Sequence, residues 1–163
     1  MELLDLAALV ESVVARRAHT VPPQIQLVVD VASNLAQVHG VRTELEQLVT
    51  SLIELWLSAV PGTQTVALVV DRSDDGDGIR LELLDGGTRT LARPFPPRLD
   101  KGDSLRVVLA VVGNHDATLR VTTSAAGATR LQIVFPIAHG RSRAARCRRP
   151  TSPLPRPGAP TIH

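Results

Sequence analysis

The sequence predicts an α+β fold: a two-layer α/β sandwich in which a mixed sheet of about five strands is covered on one face by three helices. Two observations carry this prediction. Segments with a helical apolar period are interleaved with segments that alternate or run β-branched, in the order helix, strands, helix, two strands, loop, helix, two strands. The apolar share is 44% while Trp56, Phe95 and Phe135 are the full aromatic set, so the chain can build a core and must build it from aliphatic side chains.

Residues 5–18 read as an amphipathic helix capped by Asp5, with Leu6, Leu9, Val10, Val13 and Val14 on one face. Pro22-Pro23 stops it. Residues 24–31 alternate weakly and read as a strand, and a second, short strand is expected around Val38. Residues 44–60 form the best helix. Leu45, Leu48, Leu52, Leu55 and Ala59 make one stripe, widened by Val49, Ile53 and Trp56. Thr43 and Glu46 are spaced as a capping box, and Pro61-Gly62 ends the helix. Residues 63–71 and 79–84 read as two strands around a hairpin loop at 73–78. Residues 86–101 are polar and irregular, residues 104–112 read as a third helix, and residues 119–123 and 129–136 make a last strand pair.

Charge divides the chain. Residues 138–163 hold six Arg and no acidic residue, while residues 1–137 hold 12 Lys and Arg against 16 Asp and Glu, a net of −4. The expected organisation is therefore one domain at 1–137 followed by a disordered, basic, Pro/Arg-rich tail at 138–163. An acidic body with three aromatics offers neither a basic footprint nor stacking platforms, so no specific nucleic-acid partner is expected. Cys147 is the single cysteine, which excludes a disulfide framework. No apolar run reaches the ~18–20 residues of a membrane span, and no basic n-region precedes an apolar stretch at the N-terminus. A cytoplasmic location is the expectation.

Several strings, taken in order, resemble the ATP-binding catalytic domain of sensor histidine kinases, part of the wider family of gyrase and Hsp90-type ATPases. Residues 38–48 running into Ser51-Leu-Ile-Glu-Leu55 look like the helix that carries the N box. Leu81-Glu-Leu-Leu-Asp-Gly-Gly87 looks like the G1 box, Leu91-Ala-Arg-Pro-Phe95 is similar to the F box, and residues 102–115 sit where the second glycine box and its helix belong. Leu131-Gln-Ile-Val-Phe-Pro136 looks like the closing strand. The resemblance covers about residues 2–137 and rests on collinearity.

What it implies is a nucleotide site with defects. The family's two Asn, the second of which ligates Mg²⁺, correspond to Ser51 and Leu55. A hard cation needs oxygen ligands, and Leu55 has none to give. At helical spacing, Leu55 reads instead as a continuation of the core stripe. Asp85 and Gly87 match the residues that receive the adenine base, although Asp-Gly-Gly also suits a plain strand exit. Arg89 replaces the next glycine. In the second glycine box Gly102 is kept, while Ser104 replaces a glycine and Asp103 adds a negative charge. Two like charges about 4 Å apart at an effective dielectric near 20 repel by about 4 kcal/mol. Asp103 also reads as the N-cap of the third helix.

The helical hairpin on which such kinases carry their phosphoacceptor His is not expected within these residues. The resemblance thus implies a degenerate, non-catalytic interaction or regulatory module, a pseudokinase of bacterial two-component signal transduction. Its partner would be a kinase dimerisation hairpin or a response regulator. The alternative is a kinase domain that binds ATP and phosphorylates a partner in trans. The cofactor-binding candidates are Asp85, Gly87 and Gly102, with no catalytic and no metal-binding residue assigned. ATP or ADP is expected to bind by its base, weakly and independently of Mg²⁺, if at all. One further pattern, Asp71-x-Ser73-x-Asp75-Gly76 followed by Glu82, fits the spacing of an EF-hand loop, but its flanks read as strands and an acidic hairpin explains it better.

Overall fold

The computed structural model of the protein describes residues 1–59, 65–85, 103–123 and 129–138. In chain order the elements are β1 (Glu2–Leu4), α1 (Leu6–Arg17), β2 (Gln26–Val31), β3 (Val38–Gly40), α2 (Arg42–Ala59), β4 (Thr65–Arg72), β5 (Gly78–Asp85), α3 (Asp103–Asn114), β6 (Thr118–Thr123) and β7 (Thr129–Pro136). Five strands form one sheet in the order β2-β4-β5-β7-β6, and β1 pairs with β3 in a separate ribbon. Only β2 and β4 pair in parallel, so the sheet is mixed as expected. The ribbon was not foreseen: β1 is three residues long, too short to show alternation.

Pleating sends alternate residues of each strand to opposite faces. On one face Val66, Leu68 and Val70 of β4, Ile79, Leu81 and Leu83 of β5, and Leu131, Ile133 and Phe135 of β7 are buried against the helices. Burying each such side chain stabilises the fold by about 1.5–3 kcal/mol relative to leaving it in water. The helices supply the second layer through Leu9, Val10 and Val13 of α1, Leu45, Leu48, Leu52 and Trp56 of α2, and Val108 and Val111 of α3. The other face carries Asp71, Arg80, Glu82 and Gln132 in successive registers. No helix among the described residues is long and apolar enough to cross a membrane.

Two helix starts depart from expectation. The carboxylate of Asp5 does cap α1, accepting the Ala8 N–H at 3.1 Å. The capping box at Thr43 and Glu46 does not form: α2 begins at Arg42, and Glu46 reaches across to Arg16 at 2.9 Å. Asp103 is not an N-cap but the first helical residue of α3, exposed, where its charge still complements the positive end of the helix dipole.

The far end of α3 closes with a Schellman motif. The Ala117 N–H donates to Val112 O at 3.0 Å, and Asp116 takes the left-handed conformation at φ 50°. A side chain there is strained, although Asp tolerates the region better than most residues. Asp116→Gly is expected to stabilise the fold by about 0.5–1 kcal/mol, read as a higher urea midpoint at constant slope.

Of the expected tail, only Ala138 is described; its N–H donates to Gln37 O at 3.1 Å.

Candidate functional site

The site implied by the N box lies on the flank of α2 that faces α3. The two helices run antiparallel, since Asn114 Nδ2 lies 3.4 Å from Glu44 Oε2 at one end and Ser104 Oγ lies 3.5 Å from Glu54 Oε2 at the other. On this flank Ser51 is 5% exposed and Leu55 9% exposed, and Leu55 belongs to the continuous core cluster with Leu48, Leu52 and Trp56. Helical geometry explains the placement: Leu48, Leu52 and Leu55 follow one another at i, i+4 and i+7. The stripe that the sequence announces is thus a packed one.

Glu54, one residue before Leu55, points away from that stripe, as the 100° step of a helix requires. It accepts from Arg17 NH2 of α1 at 3.0 Å and approaches Ser104 in the first turn of α3. One half-exposed carboxylate therefore joins three helices. Both it and Asp103 place negative charge beside the N-terminus of α3. This junction was not legible in the sequence, because its members are 37 and 50 residues apart.

Asp85 is the last residue of β5, and its backbone pairs with Val66 of β4. It therefore stands at the sheet's exit toward the segment before α3. Gly87, Arg89, the F-box string and Gly102 lie outside the described residues, as does the side chain of Asp85.

At the opposite end of α2 the structure shows a feature that the sequence hid. His115 follows α3 and is 3% exposed. Its Nε2 accepts the N–H of Val41, the residue just before α2, at 3.1 Å. Its Nδ1 lies 2.8 Å from Val111 O. A carbonyl only accepts and an amide N–H only donates, so the network assigns the proton to Nδ1. In a capping box the Ncap N–H is taken by a carboxylate three residues on. Here an imidazole from 74 residues away takes it, while Glu44 stands 3.6 Å from Nδ1. Gly40 makes room for this contact: a Cβ there would lie 2.7 Å from Leu45 Cδ1 and 3.3 Å from the His115 ring. Val41 offers no capping side chain of its own, so local pattern alone places the helix start two residues late.

The EF-hand spacing resolves into an ion-paired hairpin. Asp71 accepts from Arg80 Nε at 2.8 Å and NH2 at 2.7 Å, and Arg80 NH1 also reaches Asp74 at 2.9 Å. Hydrogen bonding to Asp71 holds the Arg80 guanidinium well above its ordinary range, against the opposing effect of burial. Glu82 points to the same face, with Oε1 2.6 Å from Arg130 Nε in a charge contact off hydrogen-bond alignment. Both flanks are strands, Gly76 turns the tip at φ 78°, and among the described residues no cluster of His, Cys, Asp or Glu can hold a metal ion.

Asp75 sits in this turn, fully exposed. The Ser73 hydroxyl, and next the turn's backbone N–H groups, hold its carboxyl below the usual range. A folded pKa below the unfolded one gives stability that is present above about pH 4 and is lost as pH falls through the folded value. A carboxyl titration followed by NMR is expected to place Asp75 below a free Asp, and Ser73→Ala to move it back up.

With this geometry in view, the fold is that of the ATP-binding catalytic domain of histidine kinases. The chain superposes on the mycobacterial sensor histidine kinase MprB with a TM-score of 0.61 at 23% identity, covering 83% of this chain and 97% of that one. For the ATP-binding domain of PrrB from Mycobacterium tuberculosis the TM-score is 0.63 at 19% identity, over 84% and 97%. For the catalytic domain of histidine kinase ThkA it is 0.63 at 15%, over 84% and 98%. No protein-family model matches the sequence. No curated protein matches it either.

Proposed function

We propose that this chain is a degenerate histidine-kinase ATP-binding-like domain that serves as a non-catalytic interaction or regulatory module in bacterial two-component signalling. The observation that carries this reading is Leu55: the position expected to ligate Mg²⁺ is an aliphatic side chain packed in the core cluster. The neighbouring Glu54 carboxylate does not take its place, being turned toward Arg17 and Ser104, and Ser51 on the same flank brings a single hydroxyl where a hard cation needs several oxygen ligands. Arg89, Asp103 and Ser104 add to the reading: by the resemblance, Arg89 and Ser104 replace glycines and Asp103 brings a negative charge to the phosphate side.

Asp85 and Gly87 remain the residues that would hold a nucleotide by its base, with Gly102 the one glycine kept on the phosphate side. The module would act in the cytoplasm on a protein partner, either a kinase dimerisation hairpin or a response regulator. Calorimetry of the full chain with ATP and ADP, with and without Mg²⁺, tests the proposal. Binding in about the millimolar range or weaker, unchanged by Mg²⁺, is the expected result. Saturable, Mg²⁺-dependent ATP turnover would overturn it.

A further inference from the structure

We infer that β6 is a self-pairing edge, through which two copies of this chain join their sheets. Strand β6 ends the sheet, and among the described residues β7 is its only neighbour. An edge strand presents a row of backbone donors and acceptors to solvent, and soluble proteins usually blunt it with charge, Pro or a bulge. Here the strand reads Thr118-Leu-Arg-Val-Thr-Thr123, with four β-branched residues that favour strands and a single charge. The other edge, β2, keeps Leu27, Val28, Val29 and Val31 at least partly buried. On β6, by contrast, Val121 is 44% exposed, one of four exposed large apolar residues among those described.

The register shows where Val121 points. It pairs with Leu131, and Leu119 pairs with Ile133, both buried on the helix-covered face. Val121 therefore lies on that face at its open margin. There α3 packs on β6, and α3 carries a second of these exposed residues, Leu109, 52% exposed. Among the described residues, the margin thus combines a backbone edge with no further strand on it and exposed apolar side chains on the same side of the sheet.

A second copy fits this edge because the strand is complementary to itself in one antiparallel register. Residues directly opposite one another in an antiparallel pair share a face. A two-fold axis at Val121 sets Val121 against Val121 of the second copy, Arg120 against Thr122 and Leu119 against Thr123. Centring on Arg120 instead would oppose two guanidinium groups, which is unfavourable. Centring on Thr122 would leave each exposed Val against a Thr. The Val121-centred pairing is isologous, so it closes as a dimer and does not propagate. The product is one continuous sheet built from the two five-stranded sheets, with the helices of both copies on the same face.

Sedimentation equilibrium of the full chain from about 1 µM to about 500 µM tests this. A concentration-dependent monomer–dimer equilibrium is expected, together with slower hydrogen exchange of β6 amides at high concentration. Val121→Lys is expected to weaken the dimer at least about tenfold while leaving the circular dichroism spectrum unchanged. Thr122→Glu, which puts a carboxylate opposite Arg120 of the second copy, is expected to tighten it about threefold or more at low salt. It reads the register itself and guards against loss of folding in the lysine variant. A monomer across the whole range overturns the inference. So does a folded Val121→Lys variant that dimerises as well as the parent, or weakening by Thr122→Glu.

Discussion

Replacing Leu55 with Asn is expected to destabilise the fold by about 3 kcal/mol and to create no Mg²⁺-dependent binding. The loss has two parts. A buried Leu loses about 2–3 kcal/mol of apolar burial, and the cavity it leaves adds to this. The amide that replaces it must find hydrogen-bond partners in a cluster made of Leu48, Leu52 and Trp56, and an unpaired amide costs about 1–3 kcal/mol more. Relaxation toward the edge of the cluster recovers part of the total, since Leu55 is 9% exposed. Urea denaturation measures the loss as a fall in midpoint at constant slope. A cost below about 1 kcal/mol, with nucleotide affinity that then rises on adding Mg²⁺, would mean that position 55 lines an open metal site and that the domain is not degenerate there.

A comparable loss is expected from His115→Ala, about 3 kcal/mol, at the other end of α2. Two hydrogen bonds disappear, each worth about 1 kcal/mol net. The Val41 N–H, which heads α2, is left without its partner, and the imidazole volume beside Phe135 empties. His115→Phe separates these contributions. It retains most of the volume and loses both hydrogen bonds, so about half of the loss is expected to remain. Glu44→Gln is expected to change little, because its carboxylate stands 3.6 Å from Nδ1 and Val111 O already takes that proton. A double-mutant comparison of His115→Phe with Asp116→Gly shows whether the ring and the turn beside it act independently.

These two positions show how far local pattern reaches. Leu55 is legible because its neighbours at i−3 and i−7 are apolar and its helix is long, so periodicity alone places it in the core. The strands flanking the Asp-rich hairpin are legible for the same reason, by alternation and turn residues. The parallel pairing of β2 with β4 is not, because it joins residues nearly 40 apart across β3 and α2, and no local signal records it. Likewise the start of α2 is set by a ring from beyond another helix, so Thr43 and Glu46, though correctly spaced, lose to a distant partner. Asp103 misses its expected role by one position, a common scatter at helix ends. Ser51 and Leu55 share one flank of one helix, and Leu55 packs in the core as its spacing predicts. Asp85 closes β5 as its strand-exit composition suggests, whereas Gly87 and Gly102 are outside the described residues.

Strand β3 has a consequence for re-engineering the chain. Its three residues pair with Glu2–Leu4, and Val38 also bridges to Ile137. The first strand and the last described residues are therefore stitched to the same short segment and run parallel to each other. Strand spacing and rise put residues 1 and 138 about 17 Å apart. A linker of about six residues spans that gap. Joining residues 1 and 138, with residues 139–163 removed, and reopening the chain within the Asp74–Asp77 turn would give a circular permutant in which β4 and β5 still pair but no longer follow one another. The hairpin's local nucleation would then be traded for a long-range closure, at nearly unchanged contacts, so the permutant is a direct way to ask whether that hairpin sets the folding rate.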